Sequence, residues 1–193
     1  MQTASPAPTV TPERFEIIPT ISQFTVQAFA SGLLSAFGHS PTFAIRDFSG
    51  EVMFSPEEID KSRIKITIKA DSLTVTDAMK DKDRREIELT MNNEVLESAR
   101  YPEIVFESTR VSGSKTGDSH FSVQMTGHLT LHGVSHELTI PVQASLTGGT
   151  LHTHGEFTVL QTAYGIKPVR VAGGSLKIKD ELKLTFNIVA RRE

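Results

Sequence analysis

The stretch Arg63-Ile64-Lys65-Ile66-Thr67-Ile68-Lys69-Ala70 decides the fold class. On an extended chain Ile64, Ile66, Ile68 and Ala70 share one face and Arg63, Lys65, Thr67 and Lys69 the other, the pattern of a strand with one buried and one solvated side. A register slip of one residue would expose the whole isoleucine row. The same period runs outward along the chain. Phe121, Val123, Met125, Gly127, Leu129 and Leu131 alternate with Ser122, Gln124, Thr126, His128, Thr130 and His132. Leu138, Ile140, Val142 and Ala144 follow, and near the end Leu182, Leu184, Phe186, Ile188 and Ala190. Strands are predicted near 22–30, 43–54, 62–71, 103–111, 120–131, 135–147, 150–161 and 176–190, with a bend at Gly50 in the second. His132-Gly133, Gly148-Gly149 and Lys179-Asp180 carry turn chemistry, so neighbouring strands are expected to pair as antiparallel hairpins.

Only one stretch reads as helix, near 77–91, with Asp77 as its N-terminal signal and Asn92-Asn93 at its end. Its charges alternate in sign, which predicts a solvated helix and not a phosphate clamp. Eight long one-sided strands form either a two-sheet sandwich or a closed barrel. Strand length favours an all-β, extended eight-stranded antiparallel up-and-down barrel, whose interior can hold one elongated ligand. Of thirteen aromatic residues eleven are Phe and none is Trp, so that interior should be greasy, with few polar handles.

Composition fits one soluble domain. The chain has 193 residues, 38% apolar and 22% charged, with net charge −3 and no cysteine. Thiol catalysis and Cys-ligated metals are excluded, and the charge balance gives no footing for nucleic-acid binding. No apolar run reaches the roughly 18 residues of a membrane-spanning helix. Residues 1–14, rich in Pro, Thr, Ser and Ala, are expected to be a disordered tail, and 15–193 the domain. The start lacks the features of a secretory signal, which predicts a cytoplasmic protein, or a periplasmic one whose signal has been removed.

No nucleophile elbow, Walker loop or Gly-x-Gly-x-x-Gly is present. His136-Glu137 opens like a zinc-protease signature but lacks the second histidine and lies on strand periodicity. His39-Ser40 are adjacent on an extended chain and would need a special turn to act together. His128, His132, His136, His152 and His154 cluster in sequence and suggest a surface metal site; by alternation they fall on the polar face, where solvated histidines are the plainer reading. Residues 31–42, apolar without period two, read as a plug of one barrel end or as a portal into it.

Several motifs together resemble the YceI-like, or polyisoprenoid-binding, family of bacterial lipocalin-like proteins. Tyr101-Pro102-Glu103-Ile104-Val105-Phe106-Glu107-Ser108 is similar to its Tyr-Pro-x-Ile-x-Phe-x-Ser strand. Thr126 to Val134 is similar to its Thr-Gly-x-Leu-Thr-x-His-Gly-Val hairpin, continued by Leu138-Thr139-Ile140-Pro141-Val142. Tyr164-Gly165-Ile166 and Leu184 to Arg191 resemble its Phe-Gly-Ile and its last strand, so the likeness runs from Phe15 to Arg191. It implies a lipocalin-like barrel holding a long isoprenoid chain, such as a polyprenyl phosphate or a quinone tail, with no catalytic residues and often as a dimer. The chain departs from the family at Ile21-Ser22, at 32–39 and at Asp83-Arg84-Arg85-Glu86-Ile87, positions that bear on the barrel mouth and on headgroup choice.

The expected function is therefore non-enzymatic binding, storage or transport of an isoprenoid or similar amphiphilic lipid, with no cofactor beyond that lipid. The side chains expected to line the pore are Phe24, Val26, Phe43, Ile45, Ile64, Ile66, Ile68, Ile104, Phe106, Phe121, Val123, Leu129, Leu138, Ile140, Phe157, Leu184, Phe186 and Ile188. Arg84, Arg85, Lys167 and Arg170 are candidates for an anionic headgroup if they fall at an open end. Two other readings stay open: an interaction module whose barrel is filled by its own side chains, and a histidine-dependent metal protein.

Overall fold

In the computed structural model the described residues are 11–32, 40–171, 173 and 176–193. Most of the segment read as plug or portal, His39 included, lies outside them. Among the described residues one antiparallel sheet of twelve strands forms the body of the molecule. β1 (Glu13–Ile17) leads into β2 (Gln23–Ser31), β3 (Thr42–Ile45) into β4 (Phe48–Phe54), and β5 (Arg63–Lys69) into β6 (Leu73–Val75). Each of these pairs is one long stave broken once. β7 (Glu103–Lys115), β8 (His120–Leu131), β9 (Val134–Thr147), β10 (Thr150–Leu160) and β12 (Leu176–Arg192) are continuous, and the short β11 (Arg170–Val171) lies against β12. The staves pair in chain order, and β12 closes the ring against β2 and then β1. The result is a closed eight-stave up-and-down barrel, the arrangement that strand length favours over a sandwich.

Three boundaries differ from the sequence reading. β1 begins at Glu13, inside the expected tail, because Phe15 and Ile17 bury fully and pair with β4 and β12. The predicted strand 43–54 is two strands, and its break lies at Arg46-Asp47, not at Gly50. Gly50 sits inside β4 opposite Ile66, where a Cβ would run into the Lys65 carbonyl. The break at Arg46-Asp47 aligns with a 3-10 turn in the next stave: Arg46 N–H donates to Ser72 O and Lys69 N–H to Asp47 O. Lys179-Asp180 is not a turn. It lies within β12, at a shift of register against β2 between Ile178 and Leu182.

His132-Gly133 and Gly148-Gly149 do form tight turns, with φ of 53°, 74°, 56° and 77°. That left-handed backbone matches the twist of the flanking strands. Ser22 stitches the break between β1 and β2 to β12: its hydroxyl donates to Ile18 O at 2.7 Å and accepts from Val189 N–H at 3.0 Å.

The pairing of β9 with β10 stops at Gln143–His154, just before Pro141 and Gly155. A proline supplies no ladder donor, and here it marks where the two strands part. Farther along, the gap is bridged by His136 Nε2, 2.8 Å from Ala163 O.

The helix α1 (Asp81–Thr90) starts later than expected and continues as a π-helical turn, Met91–Val95. Asp77 does not cap it. Its carboxylate accepts from Thr42 N–H at 2.7 Å and so ties the approach to the helix onto β3. Nor is the helix solvated all round, since Ile87, Met91, Val95 and Leu96 pack on the core. Glu88 accepts from Val75 N–H at 2.9 Å, satisfying the free edge of β6.

Candidate ligand-binding site

Each strand of the barrel sends every second side chain inward, and the fate of those rows differs along its axis. At the end where β4 turns into β5, Phe54 meets Phe15 and Phe121 edge to face, with centroids 6.5 and 5.1 Å apart. Phe15 and Phe121 are 0% and 2% exposed, which makes this end a solid plug. Toward the middle, Phe24, Val26, Ile64, Ile66, Ile104 and Phe157 point inward yet remain only half-buried. They border a cavity of about 170 Å³ that extends from Phe54 and Leu151 near the plug to Leu96 and Ile166 beneath the helix. Among its lining residues only Ser62, Arg63, Thr153 and Gln161 are polar or charged.

The side chains expected to line the pore all border this lumen except Phe43, Phe121 and Leu138. Phe121 belongs to the plug, Leu138 is a partly buried side chain packed on the core, and Phe43 lines a second space. That space, of about 370 Å³, lies between α1 and the strands β2, β3 and β12. Val26, Leu73, Val95, Leu96, Gln161 and Leu182 border both, so the second is the mouth of the first. Sequence reading missed the wall that the helix supplies. Ile87, Met91 and Val95 recur every fourth residue within a charged stretch, the mark of a narrow apolar stripe.

The charged residues bordering the mouth are Asp83, Glu86 and Lys177. None of Arg84, Arg85, Lys167 and Arg170 borders the lumen or the mouth. Arg84 instead reaches back to Asp81 at 3.4 Å and to the Asp77 carbonyl, and Arg85 stands on the outer side of the helix.

Two of the histidines, His132 and His136, fasten the fold. His132, expected on the solvated face, has an imidazole only 12% exposed because its left-handed turn folds it inward. Its Nε2 lies 2.6 Å from Glu97 Oε2 and its Nδ1 3.2 Å from Tyr164 O, with the Tyr101 ring packed against it. His136 stacks edge to face on Tyr164. Together they fasten the β8–β9 turn to the loop after β10. Burial of Tyr164 raises its phenol pKa above the usual value. Among the described residues, no three His, Asp or Glu side chains converge as metal ligands. None of the described helices is long and apolar enough to cross a membrane.

A one-sidedly greasy barrel with a plugged end and a helix-walled mouth defines the class. The chain belongs to the YceI-like domain family, whose model matches residues 15–190. Protein YceI of Salmonella arizonae is 30% identical over 122 residues, covering 63% of this chain and 57% of that protein, so the chain spans little more than half of that relative. Among solved structures, BcnA of Burkholderia cenocepacia superposes with a TM-score of 0.71 at 18% identity, covering 90% of this chain and 98% of that one. A polyisoprenoid binding domain from Saccharophagus degradans, implicated in plant cell wall breakdown, gives 0.67 at 14% identity, covering 93% and 98%. At these identities the structural likenesses speak for the fold.

Proposed function

We propose that this protein binds a long-chain isoprenoid or similar amphiphilic lipid, tail in the lumen and headgroup toward the mouth, and serves as a non-enzymatic carrier or store. The observation that carries the reading is the row of inward Ile and Phe side chains left half-buried around a continuous lumen and mouth. A side chain meant only for core packing would be covered by its neighbours, as Phe121 is. Lumen and mouth together fall within the roughly 300–1,000 Å³ of small-molecule sites. Each methylene moved out of water contributes about 0.8 kcal/mol, so an apolar wall suffices for affinity without chemistry. The Saccharophagus domain, which shares the fold, is named for polyisoprenoid binding and supports the choice of lipid class.

The test is organic extraction of the purified protein followed by mass spectrometry, with binding of a prenyl chain from vesicles as a second readout. A stoichiometric long-chain lipid is expected. Neither a co-purified lipid nor uptake from vesicles would leave the interaction-module reading in its place.

A further inference from the structure

The barrel wall is incomplete along one seam. β8 holds β9 as far as Val134, and β12 holds β10 as far as Leu160. β9 and β10 pair with each other only from the Gly148-Gly149 turn to Gln143 and His154. Pro141 withholds one donor, and a ladder interrupted by that alone would resume where Thr139 meets Thr158 in the continued register. It does not resume, so beyond Pro141 the two strands part toward the mouth. β6 likewise has no ladder to β7, but its free edge is met by Glu88 of α1. What spans the β9–β10 seam near the mouth is side chain: His132 Nδ1 lies 3.2 Å from Tyr164 O, and His136 Nε2 2.8 Å from Ala163 O.

Exposure of the inward row records the opening. His136 pairs with Leu129 and so shares the inward parity of Leu138 and Ile140. Yet His136 is exposed and Leu138 only partly buried, whereas Leu129 is covered. Deeper along the seam Ile140, Phe157 and Val159 border the lumen, so the parted stretch has the cavity on its inner side. Opening the wall elsewhere breaks a row of backbone hydrogen bonds, across twelve registered pairs between β8 and β9 and eleven between β10 and β12. Along the mouth half of this seam it breaks the histidine hydrogen bonds alone.

We propose that the β9–β10 seam is a lateral portal, through which the lipid chain enters and leaves the lumen sideways between Thr139 and Thr158, with His136 on Ala163 O as its latch. The portal rests on the lipid-binding reading above and adds the route. A chain admitted there swings in along its length instead of threading end-on, and α1 keeps its place over the mouth.

The chain has no cysteine, so a cross-link can be placed without background. Oxidation of the double variant Thr139→Cys, Thr158→Cys pins the seam; if the thiols stand too far apart for a disulfide, a short bis-maleimide pins them at the width they hold. The double variant Ser145→Cys, His152→Cys places the same bridge across the intact ladder. Exchange of geranylgeraniol with phosphatidylcholine vesicles is timed in both directions. The bridge across the seam is expected to slow uptake and release alike by about tenfold or more. The bridge across the ladder should leave both rates at those of the parent. His136→Leu should quicken both by about two- to tenfold, the effect of one hydrogen bond on the opening step. The ratio of the two rates should not change, because His136 borders neither lumen nor mouth. Parental rates with the seam pinned, or equal slowing by the two bridges, overturn the portal and leave the lipid reading standing. Unchanged rates in His136→Leu overturn the latch. No uptake by the unmodified protein overturns the lipid reading itself.

Discussion

At one end of the barrel Phe15, Phe54 and Phe121 close on each other edge to face; at the other, closure falls to α1, its π-helical continuation and the loop after β10. The plug consists of side chains that every part of the sheet supplies by plain alternation. The mouth consists of backbone irregularities held by particular hydrogen bonds, such as Asp77 to Thr42 N–H and Glu88 to Val75 N–H. The difference teaches where a barrel of this kind can be rigid and where it must be assembled. Burial alone makes a plug, whereas a mouth leaves strand ends whose polar groups need individual partners.

The sharpest way to break the contrast is to delete one ring from each region. Phe121→Ala should cost about 3–5 kcal/mol, because its neighbours cannot collapse into the space of a fully enclosed ring. The check is urea denaturation at neutral pH. In the lumen, Ile66→Ala should sit at or below the ~2 kcal/mol floor of such substitutions, since Ile66 already borders open space and little packing is lost. Similar costs at both positions would mean that the lumen is packed solid. Ile66→Phe sharpens the same point: it should leave stability near that of the parent while reducing lipid uptake, the reverse of what Phe121→Ala does.

How much of this was legible depends on whether the cause is local. The inward rows of β5, β8 and β12 can be read from period two alone, and most of those residues do border the lumen. The break at Arg46-Asp47 could not be read, because it is fixed by Ser72 and Lys69 on another stave. Asp77 looked like a helix cap because capping is a local rule, yet its carboxylate answers a distant backbone donor on β3. His132 lies at the end of an alternating row, which predicts the polar face; the positive φ of its turn removes it from that alternation. The mouth wall of Ile87, Met91 and Val95 was within reach of sequence reading, but the surrounding charges obscured a stripe only one residue wide.

An intermediate effect is expected where β9 and β10 part. Gly155 faces the Pro141 carbonyl and the Phe186 ring, so the Cβ of Gly155→Ala has no room without a backbone shift. The cost should be about 1–3 kcal/mol, of the order of core overpacking. Amide exchange should then quicken in β9 and β10 near the mouth more than in β7 and β8 at the plug end. Uniform acceleration would contradict a local widening of this gap.

The smallest effect concerns the fastening at the mouth. Burial holds the Tyr164 phenol above its ordinary pKa of 10.0 in the folded protein. Above about pH 10, the unfolded chain therefore releases a proton that the folded chain keeps, and stability must fall as pH rises. Below that pH both states hold the proton, so the contribution of the neutral, buried ring is fully present. Tyr164→Phe removes the titration while keeping the ring, and so should flatten the alkaline slope. Urea midpoints of the two proteins at pH 8, 10 and 11 measure it: the difference between them should be constant from 8 to about 10 and shift in favour of the variant above. Parallel behaviour up to pH 11 would mean that the phenol reaches water, and that the loop after β10 does not seal this end as Phe15 and Phe121 seal the other.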